Sequence, residues 1–258
     1  MGRDIVVFTL HKSASMFVYS QCRLLADLAG IPYHSPNNRE SPFREHQFVK
    51  DADLWTGRSG CFAPIRFYVD IPEIENYDII LHLRDPRDVL VSMFYSYCFI
   101  HAGAVKQNTG YRAEVAQAGI DAFVLARVTE PQTTLQGDYG TGGGLEYLIG
   151  NVPRRYADYV QYLLGKPNVT LVRYEEMVTD YRSWLTRFIR PFPIEDKPRV
   201  IDDFVRRSSA WFPKREQARM THVRQITPGD FRRKLQPSTI EQLNEVFADT
   251  LAALEMPV

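Results

Sequence analysis

Residues 5–29 restrict the fold more than any other stretch. Ile5-Val-Val-Phe-Thr-Leu10 is a run of β-branched and apolar residues that reads as a buried strand. After His11-Lys12-Ser13-Ala14-Ser15-Met16, the apolar residues Phe17, Leu24, Leu25 and Leu28 recur at helical spacing, and Gly30 supplies a stop. The order is strand, short loop, helix. A loop of this kind aims backbone N–H groups and the positive end of the helix dipole at one point. Lys12 and the hydroxyls of Ser13 and Ser15 lie on it, a residue set suited to a phosphate or a sulfate. It is not a Walker A loop, because no glycine lies between Gly2 and Gly30. Taken alone, the stretch also reads as a solvated turn carrying a surface lysine.

A second stretch has the same form. Asp78-Ile-Ile-Leu-His-Leu83 reads as a buried strand and runs into Arg84-Asp85-Pro86-Arg87-Asp88-Val89-Leu90-Val91-Ser92, a Pro-marked turn that opens a helix. Arg84 at the strand's end and Ser92 in the helix are residue types that hold a second phosphate.

Together the two stretches resemble the sulfotransferases that depend on 3′-phosphoadenosine 5′-phosphosulfate (PAPS). In that family a P-K-S-G-T-T-W loop binds the 5′-phosphosulfate and an R-N-P-K-D-x-x-V-S segment binds the 3′-phosphate. The resemblance puts Lys12 on the loop lysine, Ser13 on its serine, Ser15 on the first threonine and Phe17 on the tryptophan that stacks on adenine. His11, Ala14 and Met16 replace the family's proline, glycine and second threonine, so one hydroxyl contact is lost. Arg84, Asp88, Val91 and Ser92 match the second segment. Arg224-Gln225-Ile226-Thr227-Pro228-Gly229-Asp230-Phe231 is similar to a third signature, R-K-G-x-x-G-D-W. There Arg224 is implied at the 3′-phosphate, and Gln225 stands in place of a lysine. Tyr174-Glu-Glu-Met177 is similar to the family's Y-E-D-M, which implies an adenine contact for Tyr174.

The family's catalytic histidine sits in a K-[TS]-H-L-P segment. Aligning its Leu-Pro with Ile71-Pro72 puts Asp70 at that histidine. A carboxylate can take an acceptor's proton if burial raises its pKa; the same aspartate also reads as a cap on the turn. His11, beside Lys12, is the competing base. Tyr68 falls near the family's second lysine, so that contact is missing from this alignment. His82, mid-strand, reads as a core histidine.

At 258 residues the chain suits a single α/β domain spanning 1–258. Its 31 basic and 31 acidic residues cancel, which argues against a nucleic-acid or membrane-surface binder. Cys22, Cys61 and Cys98 lack metal-ligand spacing and read as reduced thiols of a cytoplasmic protein. A core strand by residue 5 leaves no room for a signal peptide, and no apolar run of about 18 residues offers a membrane anchor.

Further strands are indicated at 31–34, 65–69 and 169–173, with helices at 112–129, 145–164, about 180–190, 198–208 and 238–254. The alternation predicts a mostly parallel β-sheet flanked by helices on both faces; the resemblance implies the P-loop-kinase-like version of that fold. Lys12, Asp70, Arg84 and Tyr174 each follow an indicated strand, which puts them on the carboxyl edge where such folds bind ligands. The glycine cluster at 137–144 reads as a hinge or lid.

The implied activity is transfer of the sulfuryl group of PAPS to a hydroxyl, less readily an amine, of a small molecule. The product is 3′,5′-adenosine bisphosphate (PAP), and no metal is needed. A nucleotide or small-molecule kinase and a non-catalytic binder of the bisphosphate remain as alternatives. The acceptor's identity and the oligomeric state are not legible in the sequence.

Overall fold

The computed structural model of the chain describes residues 3–35, 58–96, 109–129, 151–211 and 227–258. Among the described residues five strands form one sheet: β1 (Ile5–Phe8), β2 (Tyr33–His34), β3 (Cys61–Ile65), β4 (Asp78–Leu83) and β5 (Val169–Arg173). Their order across the sheet is β2-β3-β1-β4-β5, and every pairing is parallel. The register sets Ile5 beside Asp78 and Phe8 beside Leu81. Parallel strands need crossover connections and are covered on both faces, so the central strands are mostly apolar. All of β1 and β3 is buried. The α/β class with a parallel sheet is the one the sequence indicated.

The chain divides into two compact units, residues 1–84 with 163–217 and residues 85–162 with 218–258. The first holds the sheet, with α1 (Ser15–Ala29) after β1. Gly30, at φ 64°, ends α1: its N–H and that of Ile31 return to the carbonyls of Asp27 and Ala26. The face of α1 on the core is Val18, Cys22, Leu25 and Ala26. Leu24 and Leu28, two of the residues whose spacing indicates the helix, are exposed. Helical spacing alone gave a stripe but not its side.

The indicated strand at 65–69 is also displaced. The strand is Cys61–Ile65, and Ile65 is its final residue. Gly60 and Pro64 disguise it as a loop in sequence; beside Pro64 the ladder to β1 shifts register between Val6 and Phe8. Arg66 therefore stands immediately after a strand rather than inside one.

An aromatic column completes the core of this unit. After β5 come α5 (Tyr174–Thr179) and α6 (Tyr181–Phe188), numbered after three helices of the other unit, and then α7 (Lys197–Trp211). Trp184 is fully buried and lies between Tyr181 and Phe188, at centroid distances of 5.6 and 4.5 Å. His82 of β4 is buried with its ring edge-on to Trp184. Burial pushes its pKa down to about 3, so it is neutral at any working pH. Neither ring nitrogen has a hydrogen-bond partner among the described residues.

The second unit contains α2 (Pro86–Tyr95), α3 (Thr109–Thr129, broken at Gly119), α4 (Val152–Tyr162), α8 (Phe231–Lys234), α9 (Pro237–Val246) and α10 (Ala248–Ala253). The single helix expected at 238–254 is two, because Phe247, buried at φ −102° and ψ 13°, interrupts it. Asp85 caps α2 by accepting from the amide of Arg87, and Pro86 takes the first helical position. Arg87 is wholly buried yet fully engaged. Its guanidinium pairs with both oxygens of Asp85, reaches Asn244 Oδ1 and the carbonyl of Pro257 at 2.7 Å each, and covers the Phe231 ring. A charge so deep is tolerated only with its donors satisfied.

Candidate active site

β1 leaves the sheet toward β2 through α1, whereas β4 leads away to β5 on the other side. Their carboxyl ends flank the point where the winding reverses, the usual ligand crevice of such sheets. Lys12 follows β1 there and Arg84 follows β4.

The loop between β1 and α1 is strained. Lys12 and Ala14 have φ of 67° and 56°, a region that costs an L-residue with a β-carbon roughly 1–2 kcal/mol. Ala14 is the N-cap of α1 and brings no side-chain cap, and the first turn carries no acidic residue. The first amides of the helix thus have no partner from the cap side chain. The Ser13 hydroxyl is buried and has no hydrogen-bond partner among the described residues. Ser15 is buried at the first helical position, and Met16 is exposed.

Three cations gather at this loop. Arg84, buried, donates from Nη1 to the carbonyl oxygen of Lys12 at 3.0 Å, and its guanidinium lies 4.2 Å from the centroid of the buried Tyr174 ring. Arg66 donates from Nη1 to His11 Nε2 at 2.7 Å. Burial first, then the charges of Arg84 and Arg66, push the Lys12 ammonium down to about 8. The arrangement suits an anion with more than one negative charge: a bound anion would relieve the repulsion among the cations, take the Ser13 hydroxyl as a donor and sit at the positive end of α1.

Sequence reasoning missed Arg66. Its only signal was the apolar run Cys61–Ile65 before it, which makes Arg66 the first residue on the carboxyl edge after β3.

The other sequence-indicated residues fall as follows. Asp70 is exposed, so the burial supposed for it is absent; its Oδ1 accepts the Tyr68 hydroxyl at 3.4 Å. His11 presents the Nε2 lone pair to Arg66 and is occupied in holding that guanidinium. The Phe17 ring packs on Tyr181 and Trp184, at centroid distances of 6.0 and 6.1 Å. Tyr174 opens α5 beneath Arg84. Ser92 lies half-buried on α2 in the second unit. In that unit Asp88 accepts the amides of Gly229 and Phe231 at 2.7 and 3.0 Å, anchoring the end of the third signature segment. Arg224, Gln225, Cys98 and the glycine cluster at 137–144 lie outside the described residues. Among the described residues no group of three or more His, Cys, Asp or Glu side chains could hold a metal, and no helix is long and apolar enough to cross a membrane.

A family model described as sulfotransferase domain matches residues 73–255. No curated protein sequence matches the chain. Among solved structures, a mouse sulfotransferase complexed with PAP superposes with a TM-score of 0.61 at 17% identity, covering 96% of this chain and 84% of its own. Retinol dehydratase in complex with androsterone and inactive cofactor PAP superposes with a TM-score of 0.54 at 12% identity, covering 96% and 80%. A complex of retinol dehydratase with retinol and PAP gives 0.50 at 11% identity, covering 96% and 81%.

Proposed function

The chain belongs to the sulfotransferase domain family, and from that premise we propose that it moves the sulfuryl group of PAPS to a hydroxyl of a small-molecule acceptor, leaving PAP. The observation that carries this reading is the loop after β1. Its lysine feels the charges of Arg84 and Arg66 near the winding reversal, and the Ser13 hydroxyl is buried there without a partner among the described residues. The PAP-bound structural neighbours support the choice of donor, and the androsterone and retinol in their complexes support a small, largely apolar acceptor.

In this reading Lys12, Ser13 and the amides of Ala14, Ser15 and Met16 hold the 5′-phosphosulfate. Arg84 holds the 3′-phosphate, a role that the family alignment extends to Ser92, Arg224 and Gln225, and Phe17 and Tyr174 serve the adenine end. The nucleotide supplies an activated sulfuryl group, which passes in line to the acceptor oxygen as the bond to the 5′-phosphate breaks. The protein's part is positioning and charge stabilisation, as in phosphoryl transfer. Lys12 and Arg66 stabilise the negative charge that builds on the departing phosphate. Asp70 takes the acceptor's proton, with bound nucleotide and acceptor supplying the burial that the free site lacks; His11 Nε2 is committed to Arg66.

Calorimetric titration with PAP, with ATP plus magnesium and 5′-AMP as controls, tests the reading. Micromolar binding of PAP alone, lost in Lys12→Ala or Arg84→Ala, is the expected result. Preference for ATP with magnesium would replace it with a kinase. Turnover separates enzyme from binder: with a competent acceptor, Asp70→Asn lowers kcat by roughly 10²–10⁴ and leaves PAP affinity nearly unchanged.

A further inference from the structure

Arg84 makes two contacts that its assignment to a 3′-phosphate does not require. Its Nη1 donates to the main-chain carbonyl of Lys12 at 3.0 Å, 72 residues away in sequence, and its guanidinium rests 4.2 Å from the Tyr174 ring centroid. The carbonyl it holds belongs to a residue in the left-handed region, φ 67°, and the next residue but one is also left-handed. Such backbone persists where surrounding contacts over-determine it. Within the loop the Ser13 amide donates to the Leu10 carbonyl at 3.2 Å, a bond that by itself does not hold the Lys12 carbonyl. Tyr174 and Arg84 are both buried, so the platform and the latch are screened from water, where a cation–ring contact and a charged hydrogen bond are strongest.

We propose that Tyr174 and Arg84 act as positioning residues for the Lys12 loop, the tyrosine ring fixing the guanidinium and the guanidinium latching the Lys12 carbonyl. This deepens the reading above and rests on it for its consequence. With Arg84 also a phosphate ligand, one side chain joins the two phosphate subsites. A phosphate drawn to Arg84 stiffens the loop that holds the other, and by linkage a filled loop favours the phosphate at Arg84. The site then senses the 3′-phosphate through the geometry of Lys12 as well as through a direct contact.

The test is hydrogen exchange on the ligand-free full chain, which needs no donor or acceptor. Tyr174→Leu and Arg84→Ala are each expected to speed exchange of the amides of residues 10–15 by roughly tenfold. Tyr174→Phe, which keeps the ring, is expected to exchange at the wild-type rate, and the amides of β4 keep their protection in all three. A general destabilisation would raise β4 as well and would not be reversed by the phenylalanine. Wild-type exchange at residues 10–15 in Arg84→Ala overturns the latch, and wild-type exchange there in Tyr174→Leu overturns the platform. Titration of the wild-type protein with PAP then reports separately on the donor: failure to bind PAP sinks the sulfuryl-transfer reading while the exchange result stands.

Discussion

Arg84 holds Lys12 at one end and opposes it at the other: its Nη1 hydrogen-bonds the Lys12 carbonyl at 3.0 Å, while its charge is one of the causes that lower the Lys12 ammonium to about 8. The same pairing orders the main chain of the loop and loads its side chain with repulsion that an anion would discharge.

Anion affinity therefore depends on pH. Below about pH 8 Lys12 carries its proton in the free protein, and above it binding requires a proton to be taken up. PAP affinity is expected to be flat up to that point and to fall about tenfold per pH unit beyond it. Calorimetry from about pH 7 to 9.5 reads this, and in Lys12→Met the fall should vanish along with most of the affinity. An unchanged slope in that variant would assign the titration to another group.

The same shift makes a prediction about stability. A lysine whose folded pKa lies below its unfolded value destabilises the fold wherever both states are protonated, here below about pH 8. From about 8 to 10.5 the unfolded chain binds more protons than the folded one, so stability rises with pH on this account. Lys12→Met should raise unfolding free energy at pH 7 by roughly 1–3 kcal/mol, and the gain should shrink above pH 8. Urea titration of the ligand-free protein at two pH values is sufficient. A loss of stability at pH 7 would contradict the cost assigned to the buried ammonium.

Asp88 tests how the third signature segment is anchored. Both of its oxygens accept main-chain amides, from Gly229 and Phe231. Asparagine would turn an amide group toward one of those N–H donors. Asp88→Asn is expected to cost roughly 2–4 kcal/mol in thermal or denaturant unfolding. A change under about 0.5 kcal/mol, the range of ordinary surface substitutions, would show that the segment is held by other contacts.

Gly60 separates crowding from backbone strain. Its φ is 130°, its amide donates to Asp4 Oδ1 at 2.7 Å, and a β-carbon there would lie 2.3 Å from the Pro32 carbonyl oxygen. Gly165, at φ 80°, has nothing within 4 Å of its β-carbon position. Gly165→Ala should cost about 1 kcal/mol and Gly60→Ala at least about 3, read from midpoints of chemical unfolding. Equal costs would mean that Pro32 can move aside.

Much of this fold was legible because β1, β4 and β5 are runs rich in apolar and β-branched residues, free of Gly and Pro, with chemistry directly after them. β3 was not, since Gly60 and Pro64 interrupt it in ways that ordinarily mark loops, and its displacement hid Arg66 inside a strand that is not there. The side of α1 that faces the core was not legible, because the helical spacing of Leu24 and Leu28 says nothing of direction. The break at Phe247 has no glycine or proline to announce it. Lys12 and Arg84 were both named from sequence, but their contact depends on β1 lying beside β4, a pairing no local pattern encodes. Burial was the hardest property to foresee: Asp70 turned out exposed, and Tyr174 turned out to lie under an arginine.

The pairing of β4 with β5 also bears on how the protein is made. The strands are neighbours in the sheet, yet residues 85–162, which belong to the other unit, are synthesised between them. At roughly 5–20 residues per second, a nascent chain keeps one edge of β4 unpaired for seconds, with Ile79, Ile80, Leu81 and Leu83 beside open backbone donors and acceptors. The sheet is completed by late addition at that edge. Its most vulnerable form is therefore a ribosome-bound intermediate, and a translational stall before residue 169 would leave a sticky strand for holdase chaperones to cover.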